Sequence, residues 1–135
     1  MDPVGFYLAS NGVTVLCPDA NVEDTGYVDG VEYTKRDYHG IFTLKTLDDW
    51  ESFASSCTSG VTDMVMLFQF ESFNQDISSW DVSSVHSMHR MFYLTTSFNQ
   101  DLSNWCVSNI ESEPQSFDDG VNSWNKPRPI WGTCP

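Results

Sequence analysis

Three groups of side chains in this sequence have types and spacings that could do chemistry. Asp19, Asn21, Glu23 and Asp24 set oxygen donors at nearly alternate positions. That resembles half of a loop for Ca²⁺, which takes about six to eight oxygen ligands. The full D-x-[DN]-x-[DN]-G-x5-E pattern fails because Asp24 stands where glycine belongs. A solvated turn is the plainer reading, and calcium is the one cofactor the sequence raises. His86 and His89 lie three apart and His39 stands alone; a zinc site would need further ligands, and none is evident. Asn74-Gln75-Asp76 returns as Asn99-Gln100-Asp101. Brought together, these residues make either a row for a cation or carbohydrate or, more simply, side chains that satisfy the backbone at a bend.

Catalysis finds less support. No G-x-S-x-G setting activates a serine, and the cysteines sit among few bases that would lower a thiol pKa. With 19 Asp and Glu, chance carboxylate pairs abound, so nothing marks a glycoside-cleaving pair. The sequence is therefore expected to encode no enzyme.

Cys17, Cys57, Cys106 and Cys134 show no C-x-x-C spacing, which removes zinc knuckles and thioredoxin-type sites. An even count in a short, lysine-poor chain suits disulfides and an extracellular or cell-surface location. Three pairings are possible; sequence order favours Cys17–Cys57 with Cys106–Cys134. Each loop so closed stabilises by about 3–4 kcal/mol in the chain-entropy picture. Met1-Asp2-Pro3 has neither the basic start nor the apolar run of a secretion signal. That leaves either a mature domain with an added Met or a different compartment.

The elements that must position these groups fit in 135 residues, enough for one domain. The longest apolar run, Met64 to Phe68, is far short of the roughly 20 residues of a membrane helix. A formal charge of −13 repels phosphate backbones and anionic lipid, so nucleic-acid binding and membrane insertion are not expected. Phe6-Tyr7-Leu8 and Val13 to Leu16 flank Asn11-Gly12, and Tyr27-Val28 and Val31 to Thr34 flank Asp29-Gly30; both read as β-hairpins. Thr46 and Asp49 have the spacing of a capping box. The apolar positions Leu47, Trp50, Phe53 and Ala54 then predict a short helix.

An internal repeat follows. Ser72 to Val85 (Ser-Phe-Asn-Gln-Asp-Ile-Ser-Ser-Trp-Asp-Val-Ser-Ser-Val) returns 25 residues later as Ser97 to Ile110, and a degenerate earlier copy ends at Met64. Each unit reads as an extended half, with Ile77, Trp80, Val82 and Val85 apolar, followed by a helical half. There Met64, Leu67 and Phe68, then Met88, Met91 and Phe92, fall at i, i+3 and i+4. One unit cannot cover its own apolar face, so neighbouring units must supply the core.

At these residues the chain resembles the BspA-like surface-protein repeats, also found as a repeat of unknown function in mycoplasma lipoproteins. That family repeats F-N-x-D-I-S-x-W-D-V-S-x-V-T-x-M-x-x-M-F-x-x-A. Phe73 to Val85 fits nearly letter for letter, and Met88, Met91 and Phe92 complete the unit. The resemblance covers roughly residues 57–118. It implies an extracellular, leucine-rich-repeat-like structure with no enzymatic activity. The expected fold class is thus α+β: a short right-handed solenoid of about 25-residue repeats, with an N-terminal β-hairpin cap and a disulfide-tied C-terminal cap. Its parts would be a β cap over 1–45, a helix plus repeats over 46–118, and a C-terminal cap over 119–135.

If the Met and Phe positions face inward, the residues between them face out. Side by side, the units would align Val65 with His89, Met66 with Arg90 and Gln69 with Tyr93. With Phe70 and Leu94 this makes a patch of apolar, aromatic and cationic groups, the types enriched where partners bind. The plainer reading is that Val65, Met66 and Phe70 pack under the hairpins. The expected function is a non-catalytic extracellular recognition or adhesion module for a protein or cell-surface ligand; the alternative is a structural surface protein that self-associates into a larger assembly.

Overall fold

A computed structural model describes residues 5–135. The first strands, β1 (Tyr7–Leu8) and β2 (Val15–Leu16), pair antiparallel with Tyr7 opposite Leu16. The loop between them is wider than a two-residue turn. Asn11 braces it, its side-chain oxygen accepting the amides of Val13 and Thr14. The second hairpin joins β3 (Thr25–Val28) to β4 (Val31–Lys35) through Asp29 and Gly30. Both turn residues have positive φ, 49° and 82°, the geometry a tight two-residue hairpin turn needs. β4 also pairs in parallel with β5 (Ser56–Cys57), giving a three-stranded sheet in the order β3-β4-β5.

The helix lies earlier than its predicted place. α1 runs Tyr38–Thr46, and Asp37 caps it by accepting the Gly40 amide at 2.8 Å. The backbone at Asp48 turns left-handed (φ 55°), so the predicted helix after Thr46 is reduced to a 3₁₀ turn, Trp50–Phe53. Phe53 is buried as expected, but Leu47 points to solvent.

The expected leucine-rich-repeat solenoid is overturned. Among the described residues, regular structure consists of two small sheets, one α-helix and the 3₁₀ turn, all before Thr58, and no α-helix or strand follows. The fold is a small α+β arrangement whose second half is built from turns. No helical half forms because Met66, Phe70, Arg90 and Leu94 all have φ between 56° and 66°. L-residues cannot propagate a right-handed helix through such positions. Consecutive turns reproduce the inward spacing instead: Met64, Leu67, Phe68, Met88, Met91 and Phe92 are all fully buried.

Backbone bonds tie one copy to the next. The amides of Met64, Met66, Phe68 and Phe70 donate to the carbonyls of Ser87, His89, Met91 and Tyr93 at 2.9–3.1 Å. The amides of Arg90, Phe92 and Leu94 likewise donate to Gln115, Phe117 and Asp119. This register sets Phe68 against Phe92 (5.6 Å between ring centres) and Phe73 against Phe98 (5.9 Å, planes 7° apart). Thr95 closes a gap in the apolar layer by donating its hydroxyl to the Phe68 carbonyl at 2.7 Å.

The first hairpin lies along the repeats rather than over one end of them. The Val15 amide donates to Ser79, and the Asn11 carboxamide to the carbonyl of Asn104, the equivalent residue one copy on. Disulfides Cys17–Cys57 and Cys106–Cys134 join the pairs favoured by sequence order. The first is fully buried and fixes the hairpin region to β5; the second ties the C-terminal residues back to the last copy. Disulfides of this kind persist in oxidising surroundings.

Candidate functional site

The turns that replace the expected helices also decide which side chains leave the core. In two successive copies the residues on either side of the buried Phe project outward, held by left-handed backbone. Met66 is 41% exposed, Phe70 62% and Leu94 38%, whereas Val65, Gln69, Arg90 and Tyr93 are half-buried. Packing under the hairpins is therefore not what Met66 and Phe70 do.

The cluster has a defined geometry. The Phe70 ring meets Tyr93 edge-on, with ring centres 5.6 Å apart and planes at 72°. The Arg90 guanidinium lies over the other part of this group, 4.1 Å from the Tyr93 ring centre. Its Nε donates to the side-chain oxygen of Gln69 at 2.7 Å. Leu94 lies against Gly120, where any Cβ would collide with the leucine side chain. Five of the predicted residues, Gln69, Phe70, Arg90, Tyr93 and Leu94, thus stand on bonded or adjoining positions, with Met66 beside them in the same register.

His89 departs from this group. It is exposed and, with His86, Met88, Ile110 and Pro114, lines a separate open hollow of about 340 Å³. A second exposed apolar strip escaped the sequence reading: Tyr38 and Phe42 on α1, and Leu47 just beyond it. Tyr38 and Phe42 are stacked four residues apart, and the Lys45 ammonium sits 5.3 Å from the Phe42 ring centre. The i, i+4 aromatic pair was the available signal. Burial lowers the Lys45 pKa, an effect partly opposed by Glu71 nearby.

The acidic loop does not assemble a cation site. Asp24 uses one carboxylate oxygen on the Asn21 amide at 2.9 Å. The Lys35 ammonium donates to the carbonyls of Ala20 (2.8 Å) and Pro18 (3.3 Å), so the loop already holds a positive charge of its own. Among the described residues, no three His, Cys, Asp or Glu are placed to share a metal ion. Asp19 and Glu23 point to solvent.

The Asn-Gln-Asp row serves the backbone. The Asn74 side-chain oxygen accepts the Asn99 amide at 2.7 Å and a Gln100 carboxamide hydrogen at 3.0 Å, and Asn99 repeats the service for Asn125 and Lys126. Asp76 and Asp101 each accept both the hydroxyl and the amide of the serine two residues on. Ser103's hydroxyl, then its amide, hold the Asp101 carboxyl below the usual carboxylate range.

The family model described as "Mycoplasma protein of unknown function, DUF285" matches residues 38–133. No curated protein and no solved structure matches the chain.

Proposed function

Starting from a chain that belongs to the DUF285 family of mycoplasma proteins of unknown function, we propose a non-catalytic recognition module that works outside the cell or at its surface. The finer likeness to BspA-like repeats is part of this reading, and the two disulfides support the location.

One observation carries it. Met66, Phe70, Arg90 and Leu94 combine left-handed backbone with outward-facing side chains. A left-handed L-residue costs about 1–2 kcal/mol, and an apolar side chain left partly exposed recovers only part of what full burial would give. Glycine or asparagine would meet the backbone demand of these four positions with less strain. Large apolar and cationic groups kept there at a cost to folding point to selection for contact with something else. The rigid backbone bonds beneath them supply the preorganisation that binding favours.

The test uses plates coated with extracellular-matrix proteins and cultured epithelial cells, with serum albumin as control. The double variant Phe70→Asn/Leu94→Asn should lose most binding and melt no lower than the parent. Equal binding by parent and variant, or parent binding no better than to albumin, rejects the reading. Self-association is the other outcome: light scattering that grows with concentration, and is abolished by the same variant, would assign the patch to a second copy.

A further inference from the structure

We infer that Arg90 is a preformed receptor for a carboxylate that a protein partner presents beside an apolar side chain. This names the partner chemistry of the surface proposed above and rests on that reading.

A second arginine provides the contrast. Arg128 lies 4.2 Å over the Trp124 ring, as Arg90 lies over Tyr93. Its Nε donates to Asp118 Oδ2 at 2.8 Å, the only ion pair among the described residues. Arg90 makes the matching bond to the neutral oxygen of Gln69. Gln69 and Asp118 are equivalent residues, since each directly follows the buried Phe of its copy, Phe68 and Phe117, in one backbone register. The chain therefore completes one stacked guanidinium with a carboxylate and leaves the other without one. It does so although Asp and Glu outnumber Lys and Arg 19 to 6.

The geometry suits an incoming anion. The ring fixes one face of the Arg90 guanidinium and Gln69 fixes Nε, while the two terminal nitrogens have no partner among the described residues. A fork held in this way offers two parallel donors to a carboxylate with little rotamer entropy left to lose. Phe70 meets the same Tyr93 ring that Arg90 covers, and Met66 and Leu94 are exposed on the same run of turns, so the complementary feature is an acid next to a leucine-like side chain rather than a bare anion. The surrounding charge of −13 disfavours a strongly acidic partner and selects for a single, well-placed carboxylate.

The experiment follows the Arg90 Nε–Hε resonance by ¹⁵N NMR at physiological salt. The probes are capped leucyl-aspartyl-leucine, its asparaginyl counterpart, and 3′-sialyllactose. The aspartyl peptide should shift the resonance saturably and bind about tenfold more tightly than the asparaginyl peptide. Gln69→Glu, which supplies the missing carboxylate from within as Asp118 does, should abolish that preference without lowering the melting temperature. Arg90→Lys, which keeps the charge but not the fork, should weaken it strongly. Equal binding of the two peptides, an unsaturable response, or binding of the sialylated sugar in place of the peptide overturns the inference. If the preference is absent while Phe70→Asn/Leu94→Asn still loses surface binding, this inference fails and the proposed function stands. Unchanged surface binding in that variant removes the proposed function itself.

Discussion

The indole N–H of Trp105 donates to the carbonyl oxygen of Ile77 at 3.1 Å, reaching back across one copy of the repeat. Trp80 does the same to Phe53 at 2.9 Å. Both indoles are fully buried, so each satisfies a carbonyl that water does not reach while filling the space between copies. In a repeat with no helix and almost no strand, these side-chain bonds add to the backbone bonds that set the register.

Trp105→Phe separates the two contributions. It keeps much of the apolar volume but takes the indole donor from the Ile77 carbonyl, which still accepts the Trp80 amide, so it should cost about 0.5–1.5 kcal/mol. Trp105→Ala also opens a cavity and should cost about 3–5 kcal/mol. Urea unfolding curves measure both; a Trp105→Phe variant as stable as the parent would show that the bond contributes nothing.

Phe53 should be as sensitive. It lies 5.3–6.2 Å from Trp50, Phe68, Phe73 and Trp80, and so joins the 3₁₀ turn to the first repeat copies. Phe53→Ala should destabilise by about 3–5 kcal/mol and should loosen the first copy before the last. Hydrogen exchange at Phe68 and Phe92 reads this directly: equal loss of protection at the two amides contradicts the expected order.

The hairpins and the inward residues were legible in the sequence, and the turns were not. Asp29-Gly30 announces its own geometry, because few other pairs accept two positive φ values. Met64, Leu67 and Phe68 announce burial, but their spacing is shared by a helix and by successive turns. What separates the two is the backbone at Met66 and Phe70, and neither residue type signals a left-handed conformation. The helix start was lost for a related reason. Thr46 and Asp49 imitate a cap, while the working cap, Asp37, precedes a helix with a weak apolar stripe, only Ile41 and Leu44 being buried. The outward cluster rests on the inward spacing of Met64, Leu67 and Phe68, which successive turns reproduce as a helix would. Arg90's choice of Gln69 does not, since that bond depends on side-chain reach. The Lys35 contact to the acidic loop was not legible either, because it joins residues distant in sequence.

The two disulfides should respond differently to reductant. Cys17 and Cys57 are wholly buried, whereas Cys134 is exposed and Cys106 partly so. Mild phosphine treatment followed by iodoacetamide should label Cys106 and Cys134 first, as mass spectrometry of the peptides would show. Cys106→Ser/Cys134→Ser should cost about 3–4 kcal/mol by the chain-entropy estimate. It should also free Trp131 from Phe117, on which it now rests edge-on at 4.9 Å, giving a red-shifted emission. Labelling of Cys17 and Cys57 first would contradict the accessibility argument.

Acid should remove the support that Asp101 gives its turn. The carboxylate accepts the Ser103 hydroxyl at 2.6 Å and the amide at 2.9 Å, and these bonds hold its pKa below the ordinary aspartate value of about 3.9. A depressed folded-state pKa means that the unfolded chain binds the proton first as the pH falls. The stabilisation is therefore complete above the unfolded value and lost as the pH drops through the folded one. Ser103→Ala removes the larger of the two effects and should move the Asp101 titration upward, towards the ordinary value. Parent and variant should differ in stability at neutral pH and converge only once the pH falls below the lowered value of the folded parent, where the carboxyl is protonated in both. A ¹³C titration of the Asp101 side chain, paired with urea curves at both pH values, checks the two halves separately. An unmoved titration would mean that the backbone amide alone sets the acidity of this group.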